Sequence, residues 1–423
     1  MLGSLPVRRK DVENTFLIKR CRQFRVLTGV FRDVKRPILR RLGIAVCVFF
    51  HTNAALLLMA MIVGTSSLTD FFSRIGNIAS FITVMTITFF YTRREERITL
   101  VCHEMAEQWL KYKKKVRYPS GIKTIKMCER MMKFMFWVLV IGSFSVFNFY
   151  TTYPIIVYYF FPLKSQKYIA FPLRIYFPFE SAPYLRAYVY FIMCACIGYY
   201  CILLAIISSM YLCLFCKLEA SFILNGAFYE RFRAQELNPR PGGNVVRKDE
   251  IIRKWNVARI VLSISEHQSL YRMAEDLKEF IRESILVMYI GAMIAVTFTS
   301  YIFINDPERY AYGVTLMIIP VVHIFAFFFM ASRVTVACEE TANILYQEHL
   351  DLLKEGSEIR FNVLLFLLMR SQKPVVFEAG RLRELTLFNF VSVCLNSIKL
   401  LISMHFKSVI LMFVLRLLDG LLV

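Results

Sequence analysis

The sequence predicts an all-α membrane protein with seven transmembrane helices, a cytoplasmic N-terminus and long helical extensions on the cytoplasmic side. Three observations predict this fold class. The chain of 423 residues is 57% hydrophobic and its mean hydropathy is +0.51, which is more apolar than an ordinary soluble chain. It contains seven apolar segments long enough to cross a bilayer as helices. Its basic residues are concentrated in alternate connections between those segments.

The seven apolar segments are predicted to be helices because lipid offers no hydrogen-bond partner to an open strand. A bilayer core takes about 20 residues as a helix, with some latitude in either direction. The segments that qualify are 44–64, 75–91, 134–160, 188–212, 285–304, 312–332 and 385–406.

Lys and Arg fix the direction in which the chain enters the membrane. The segment 1–43 and the connections 92–133, 213–284 and 333–384 hold 43 of them, whereas the connections on the opposite side hold 6. Because basic residues are retained on the cytoplasmic side, the N-terminus is predicted to be cytoplasmic. This orientation is the inverse of a G-protein-coupled receptor. It also accounts for the net charge of +21 without nucleic acid as a partner.

These predictions divide the chain into five regions. A cytoplasmic N-terminal segment precedes the first six transmembrane helices, further cytoplasmic helices follow, and a tail comes after the seventh helix. The predicted bounds are 1–43, 44–332, 333–384, 385–406 for the seventh helix, and 407–423 for the tail.

Two cytoplasmic regions are predicted to be helical extensions of transmembrane helices. In 250–284, apolar residues such as Trp255, Leu270 and Leu277 recur at helical spacing and lead directly into the fifth span. The fused helix would exceed 50 residues, roughly 80 Å in length. After the sixth span, 334–384 continues that helix and then forms a second one at 357–369.

The seventh segment carries a polar stripe. Ser392, Asn396, Lys399 and Ser403 are spaced at i, i+4, i+7 and i+11, so they share one face of a helix. A lysine at membrane depth is costly unless it meets water or a partner. The stripe therefore indicates either a water-filled path or a helix-packing face from which Lys399 reaches the interface.

The residues before and within the seventh helix resemble the C-terminal signature of insect odorant receptors. That signature is an R-S-Q-K-P stretch, then A-G, then a leucine-phenylalanine pattern, and here it corresponds to 370–380 and 385–394. Glu266-His267-Gln268 is similar to the family's helix before the fifth span, and 176–184 is similar to its second external loop. The matching stretches lie between about 170 and 404.

The resemblance implies a tetrameric, odorant-gated, non-selective cation channel in the membrane of sensory-neuron dendrites. The seventh helices would line a central pore, and the cytoplasmic helices would form an anchor domain. An odorant-tuning subunit of this kind would assemble with a coreceptor as a heterotetramer, with a homotetramer as the alternative. It implies no cofactor, no metal and no enzymatic activity.

The resemblance also implies an odorant site in the outer half of the membrane, between the second, third, fourth and sixth helices. Apolar and aromatic side chains with a few hydroxyls suit a small volatile ligand. The candidate ligand-binding residues are Ile75, Ile78, Phe81, Phe147, Tyr150, Thr151, Tyr190, Cys194, Tyr312 and Thr315.

For the pore, the resemblance places Ser392, Asn396, Lys399, Ile402 and Ser403 along the conducting path. Ile402 suits a closed gate, since apolar constrictions block ions by dewetting. A ring of four Lys399 side chains would oppose cation flow, which favours a heteromer. Two alternatives stay open from the sequence: a seven-span metabotropic chemoreceptor, and a membrane transporter of small molecules.

Overall fold

The computed structural model describes residues 9–28, 37–63, 68–116, 118–160, 171, 182–236, 245–305, 311–353, 375–379, 383–386, 389, 392 and 399. Nine helices and one pair of short strands have bounds within these residues. The helices are α1 (Arg9–Glu13), α2 (Phe16–Thr28), α3 (Pro37–Val63), α4 (Leu68–Arg93), α5 (Glu95–Lys115), α6 (Pro119–Phe160), α7 (Pro183–Glu236), α8 (Val245–Asn305) and α9 (Ala311–Leu353). The strands are β1 (Glu378–Ala379) and β2 (Arg383–Glu384).

Six helices in the described part are long and apolar enough to cross a membrane, and each of the first six predicted spans overlaps one of them. The stretches that qualify are Arg41–Val63, Arg74–Arg93, Pro119–Phe160, Pro183–Phe228, Ser265–Thr297 and Val322–Ile344. In the seventh predicted span, Asn389, Ser392 and Lys399 are helical, and most of 385–406 lies outside the described residues.

Four of these helices, α6, α7, α8 and α9, continue far beyond a bilayer. Helix α7 has 54 residues and α8 has 61, so their lengths are about 80 and 90 Å at 1.5 Å per residue. The predicted fusion of the cytoplasmic helix with the fifth span is confirmed by the continuous α8. The predicted extension of the sixth span is confirmed by α9, which reaches Leu353. The predicted helix at 357–369 lies outside the described residues.

Helix α7 is the centre of the bundle, and α6, α8 and α9 pack around it. Every residue from 205 to 222 is buried, as expected for a helix that is hydrophobic on all sides. The sequence predicts a cytoplasmic connection over 213–284 with a helix only from 250, whereas in the structure α7 continues to Glu236. A helix that is buried on every side shows little hydrophobic periodicity, so the sequence gives no clear sign that the helix continues past residue 212.

The N-terminal helix α2 belongs to the same core. Phe24 lies against Tyr91 with ring centroids 3.9 Å apart, and the Cys21 thiol donates to the Met210 sulfur at 3.4 Å. A hydrogen bond with Cys102 lowers the pKa of the Cys21 thiol. The same hydrogen bond, together with burial, raises the pKa of Cys102 well above its usual value. The segment before the first span is therefore integral to the cytoplasmic core.

The segment leading to the seventh helix is held against α7 and α9. Strands β1 and β2 pair in antiparallel register, with Ala379 opposite Arg383. Phe377 packs edge-to-face on Phe215 of α7, with centroids 4.9 Å apart, and Thr335 of α9 donates to the Val375 carbonyl at 2.9 Å. The position of the start of the seventh helix is thus coupled to the cytoplasmic core.

Candidate functional site

A small cavity lies between four of the membrane-spanning helices. Its volume is about 70 Å³ and its walls come from α4, α7, α8 and α9. These positions fall in the middle and inner parts of the predicted spans. The wall is mostly apolar, with a few polar side chains. The lining residues are Ser80, Thr83, Val84, Leu204, Met288, Gly291, Ala292, His323 and Ile324.

Gly291 sets the distance between α4 and α8 beside this cavity. A Cβ added at that position would overlap the Thr83 hydroxyl. The absence of a side chain thus permits the close approach of the two helices. Ser80, on the same wall, donates its hydroxyl to the Gly76 carbonyl of its own helix at 2.9 Å. A ligand here would therefore meet mainly hydrocarbon surface.

The three ligand residues predicted on α4 lie beside the cavity rather than in its wall. Ile75 and Ile78 are half-buried, and Phe81 is buried. At 100° per residue, Ile75 and Ile78 point about 140° and 160° away from Ser80 around the helix axis, and Phe81 about 100° away. Phe81 packs edge-to-face on Tyr200 of α7, with centroids 5.3 Å apart.

The residues predicted on α6 and α7 lie where these two helices pack together. Tyr190 donates its hydroxyl to the Thr151 carbonyl at 2.6 Å, and the Phe147 ring lies against Gly198, where an added Cβ would be 3.0 Å from the ring. Tyr150 is buried, and the side chain one turn after Tyr190, Cys194, is half-buried. On α9, Tyr312 and Thr315 are helical, and their side chains lie outside the described residues.

The structure thus brings four of the predicted residues together at two levels along α7. Tyr190 pairs with Thr151 at one level, and Phe147 and Phe81 lie against Gly198 and Tyr200 of the same turn at the other. Sequence reasoning missed the cavity wall. The small residues Gly291 and Ala292 were the available signal, but small residues in a membrane helix indicate close packing more often than a void.

Two of the predicted pore residues are described. Ser392 and Lys399 are both helical, and they are seven residues apart, about two turns, so they share a side of the helix. Ser392 is half-buried, and Lys399 is exposed in the isolated chain. Asn396, Ile402 and Ser403 lie outside the described residues.

The structure is that of a multi-pass α-helical membrane protein with an apolar cavity inside its helix bundle. The sequence model of the family described as "7tm Odorant receptor" matches residues 67–398. Since this match covers most of the chain, the protein belongs to the 7tm odorant receptor family. The predicted family and the all-α membrane fold class are confirmed, and the family is one of receptors rather than enzymes.

Solved structures of similar fold come from the insect Machilis hrabei. The olfactory receptor OR5 superposes with a TM-score of 0.71 at 15% sequence identity, over 92% of this chain and 97% of that chain. The same receptor in complex with eugenol gives a TM-score of 0.70 at 15% identity, over 92% and 98% of the two chains. At this identity the likeness shows the fold alone. A search of curated protein sequences finds no match.

Proposed function

We propose that this chain is a subunit of an odorant-gated, non-selective cation channel. The observation that carries the proposal is the match of residues 67–398 to the odorant receptor family, and the cavity inside the helix bundle supplies free volume for a movement on gating. The ligand would be a small volatile molecule held mainly by dispersion and hydrophobic contacts, with at most one hydrogen bond from a hydroxyl. Binding of eugenol by OR5 is consistent with that ligand class.

The ligand site in this proposal comprises the outer-half residues predicted from the sequence. It would include Ile75, Ile78 and Phe81 on α4, of which Phe81 contacts α7, and Tyr190 and Cys194 on α7 itself. Phe147, Tyr150 and Thr151 on α6 and Tyr312 and Thr315 on α9 complete the set.

The cavity between α4, α7, α8 and α9 would not bind the ligand directly. It would instead give a helix room to move when the channel opens. Packed interiors transmit displacement because they are nearly incompressible, so a void of about 70 Å³ beside α8 is a place where that helix can move. Met288, Gly291 and Ala292 of α8 line the void. Ligand binding would favour the arrangement of α8 for which the ligand has the higher affinity, and only by that difference in affinity.

Movement of α8 would reach the pore through the cytoplasmic helices. In this proposal 333–384 contributes to an anchor domain that holds the subunits together, and the seventh helices, 385–406, line the pore. Ser392, Asn396, Lys399, Ile402 and Ser403 would face the conducting path, with Ile402 at the closed gate. One or a few Lys399 side chains among coreceptor subunits would permit cation flow, so the assembly proposed is a heterotetramer with the coreceptor.

The proposal is tested by recording currents from cells that express the full chain with and without an odorant receptor coreceptor. A panel of volatiles should evoke a cation current within milliseconds, with the coreceptor present and with G-protein signalling blocked. A current abolished by the G-protein block would favour a metabotropic receptor. Uptake of a labelled volatile without any current would favour a transporter.

The pore assignment needs its own variants. Lys399→Gln is expected to raise cation conductance and Ser403→Ala to alter ion selectivity or block, because both side chains would contact permeating ions. Unchanged conductance, selectivity and block in both variants would exclude the seventh helix as the pore lining.

A further inference from the structure

The cytoplasmic turns of α6 carry a basic stripe that is distinct from the ligand site and the pore. Lys123, Lys126, Arg130 and Lys133 are all exposed. Their spacing of three, four and three residues places them within an arc of about 80° on one side of the helix. We call these four residues the α6 stripe.

No residue of the α6 stripe has a carboxylate partner within the described part of the chain, whereas several other basic residues of the cytoplasmic surface do. Elsewhere on this surface, ion pairs form between Arg94 and Glu283 at 2.9 Å and between Lys115 and Glu266 at 2.6 Å. The acid nearest the stripe along α6, Glu129, is bound by Lys113 of α5 at 2.5 Å. Glu129 lies one turn from Lys126 and Lys133 on α6, but its carboxylate is engaged by Lys113 rather than by the stripe. The four like charges of the stripe therefore have no ion pair of their own among the described residues.

The same face of α6 continues into the membrane as an exposed apolar surface. Trp137, Ile141 and Phe144 are 58%, 59% and 62% exposed, and at 100° per residue they lie above the stripe on the same side of the helix. Trp is favoured at the level of lipid headgroups. The change from basic to apolar residues, between Lys133 and Trp137, thus marks where this face crosses the membrane interface.

We infer that the α6 stripe binds anionic phospholipids of the cytoplasmic leaflet. The inference rests on the orientation predicted from the distribution of Lys and Arg, and it requires neither an odorant nor a current. Lys133 and Arg130 lie at headgroup depth, while Lys123 lies about 15 Å further from the bilayer. A polyphosphorylated headgroup projects from the surface and carries several charges, so it fits such a stripe better than a lipid with a single charge. Each basic residue near an anionic surface strengthens binding by about fivefold.

The test is native mass spectrometry of the full-length receptor in detergent, titrated separately with phosphatidylinositol bisphosphate, phosphatidylserine and phosphatidylcholine. The wild-type receptor should bind phosphatidylinositol bisphosphate most tightly and phosphatidylcholine least. Replacing all four residues of the α6 stripe by Gln should weaken binding of phosphatidylinositol bisphosphate by at least about tenfold. The charge-preserving variant with Lys123→Arg, Lys126→Arg, Arg130→Lys and Lys133→Arg should bind like the wild type.

The matched control removes four exposed basic residues that lie outside the α6 stripe: Lys10→Gln, Lys19→Gln, Arg22→Gln and Arg272→Gln. It should stay within about twofold of the wild type. An equal loss in this control would reduce the effect to net charge and overturn the proposal. Soluble inositol trisphosphate binding as tightly as the lipid would overturn the assignment to a membrane lipid. A change in subunit stoichiometry of the Gln variant without loss of lipid would assign the face to a protein contact instead.

Discussion

Two stretches of α7 differ in how they are packed, although they belong to one continuous helix. In residues 187–204, buried positions alternate with exposed and half-buried ones, and Leu204 borders the cavity. In residues 205–222 every position is buried. Towards the cytoplasm, apolar side chains are covered by protein because water is the alternative. Within the bilayer, lipid is an equally good solvent for them, so the helices there are under less pressure to close every gap.

Tight packing and free volume therefore lie in different parts of the molecule. The cytoplasmic core holds α2, α7, α9 and the strand pair in one packed unit, while the membrane part keeps a void beside α8. A receptor that transmits a small displacement would need both properties.

Phe215→Ala should lower the stability of the cytoplasmic core more than any other variant. Its side chain is fully buried and packs edge-to-face on Phe377, and removing a buried aromatic ring costs about 3–5 kcal/mol. Thermal unfolding monitored by size-exclusion chromatography should show a large fall in the midpoint and in assembled receptor. The exposed Phe144→Ala is the control, and an equal fall there would contradict the contrast.

Gly291→Ala should disturb the membrane part at the close contact between α8 and α4, beside the cavity. The new methyl group would collide with the Thr83 hydroxyl, and overpacking of this kind costs about 1–3 kcal/mol. We expect lower thermal stability and a weaker ligand response, with partial recovery when Thr83→Ala is combined with it. Absence of any recovery in the double variant would show that Thr83 is not the obstructing group.

Lys217→Met should stabilise the cytoplasmic core. The Lys217 side chain is almost fully buried and its amine has no hydrogen-bond partner among the described residues. A buried unpaired amine is costly, and an apolar side chain of similar volume removes that cost. The unfolding midpoint should rise by a few degrees, whereas Lys217→Ala should lower it by leaving a void. A fall with Met as large as with Ala would mean that the amine makes a stabilising contact.

Arg97→Gln should have the smallest effect. Arg97 of α5 pairs with Glu279 at 2.6 Å and Asp276 at 3.3 Å on α8, and all three side chains are about half exposed. Exposed pairs contribute about 1 kcal/mol or less because solvent screens them. The midpoint should shift by less than in any variant above, and the shift should shrink further in high salt. A large, salt-independent shift would place this pair in the packed core.

Much of the fold was predictable because the bilayer imposes length and composition on the chain. The apolar segments and the alternation of Lys and Arg predicted six helices that the structure contains, and the heptad-like recurrence through Leu270 and Leu277 predicted the continuous α8. The helix from 213 to 236 was missed because a segment buried on all sides loses the periodicity that marks a helix.

The candidate site was less predictable for a related reason. Phe81, Tyr190 and Thr151 are aromatic or hydroxyl-bearing residues in the predicted outer halves of spans, and the structure places Phe81 and Thr151 against α7, which carries Tyr190. The cavity depends instead on where side chains are absent or small, at Gly291 and Ala292, and on how α4 and α8 cross. That crossing is a long-range property which no local pattern in the sequence encodes.

The most direct test of the account is the ligand concentration–response of Ala292→Leu, measured as odorant-evoked current with the coreceptor present. Ala292 lines the cavity, and leucine adds three carbons to it. The account predicts an at least tenfold loss of sensitivity or a large fall in maximal current, while Ala55→Leu on the exposed side of α3 responds like the wild type. A normal response from Ala292→Leu, with receptor abundance unchanged, would contradict the claim that this cavity takes part in gating.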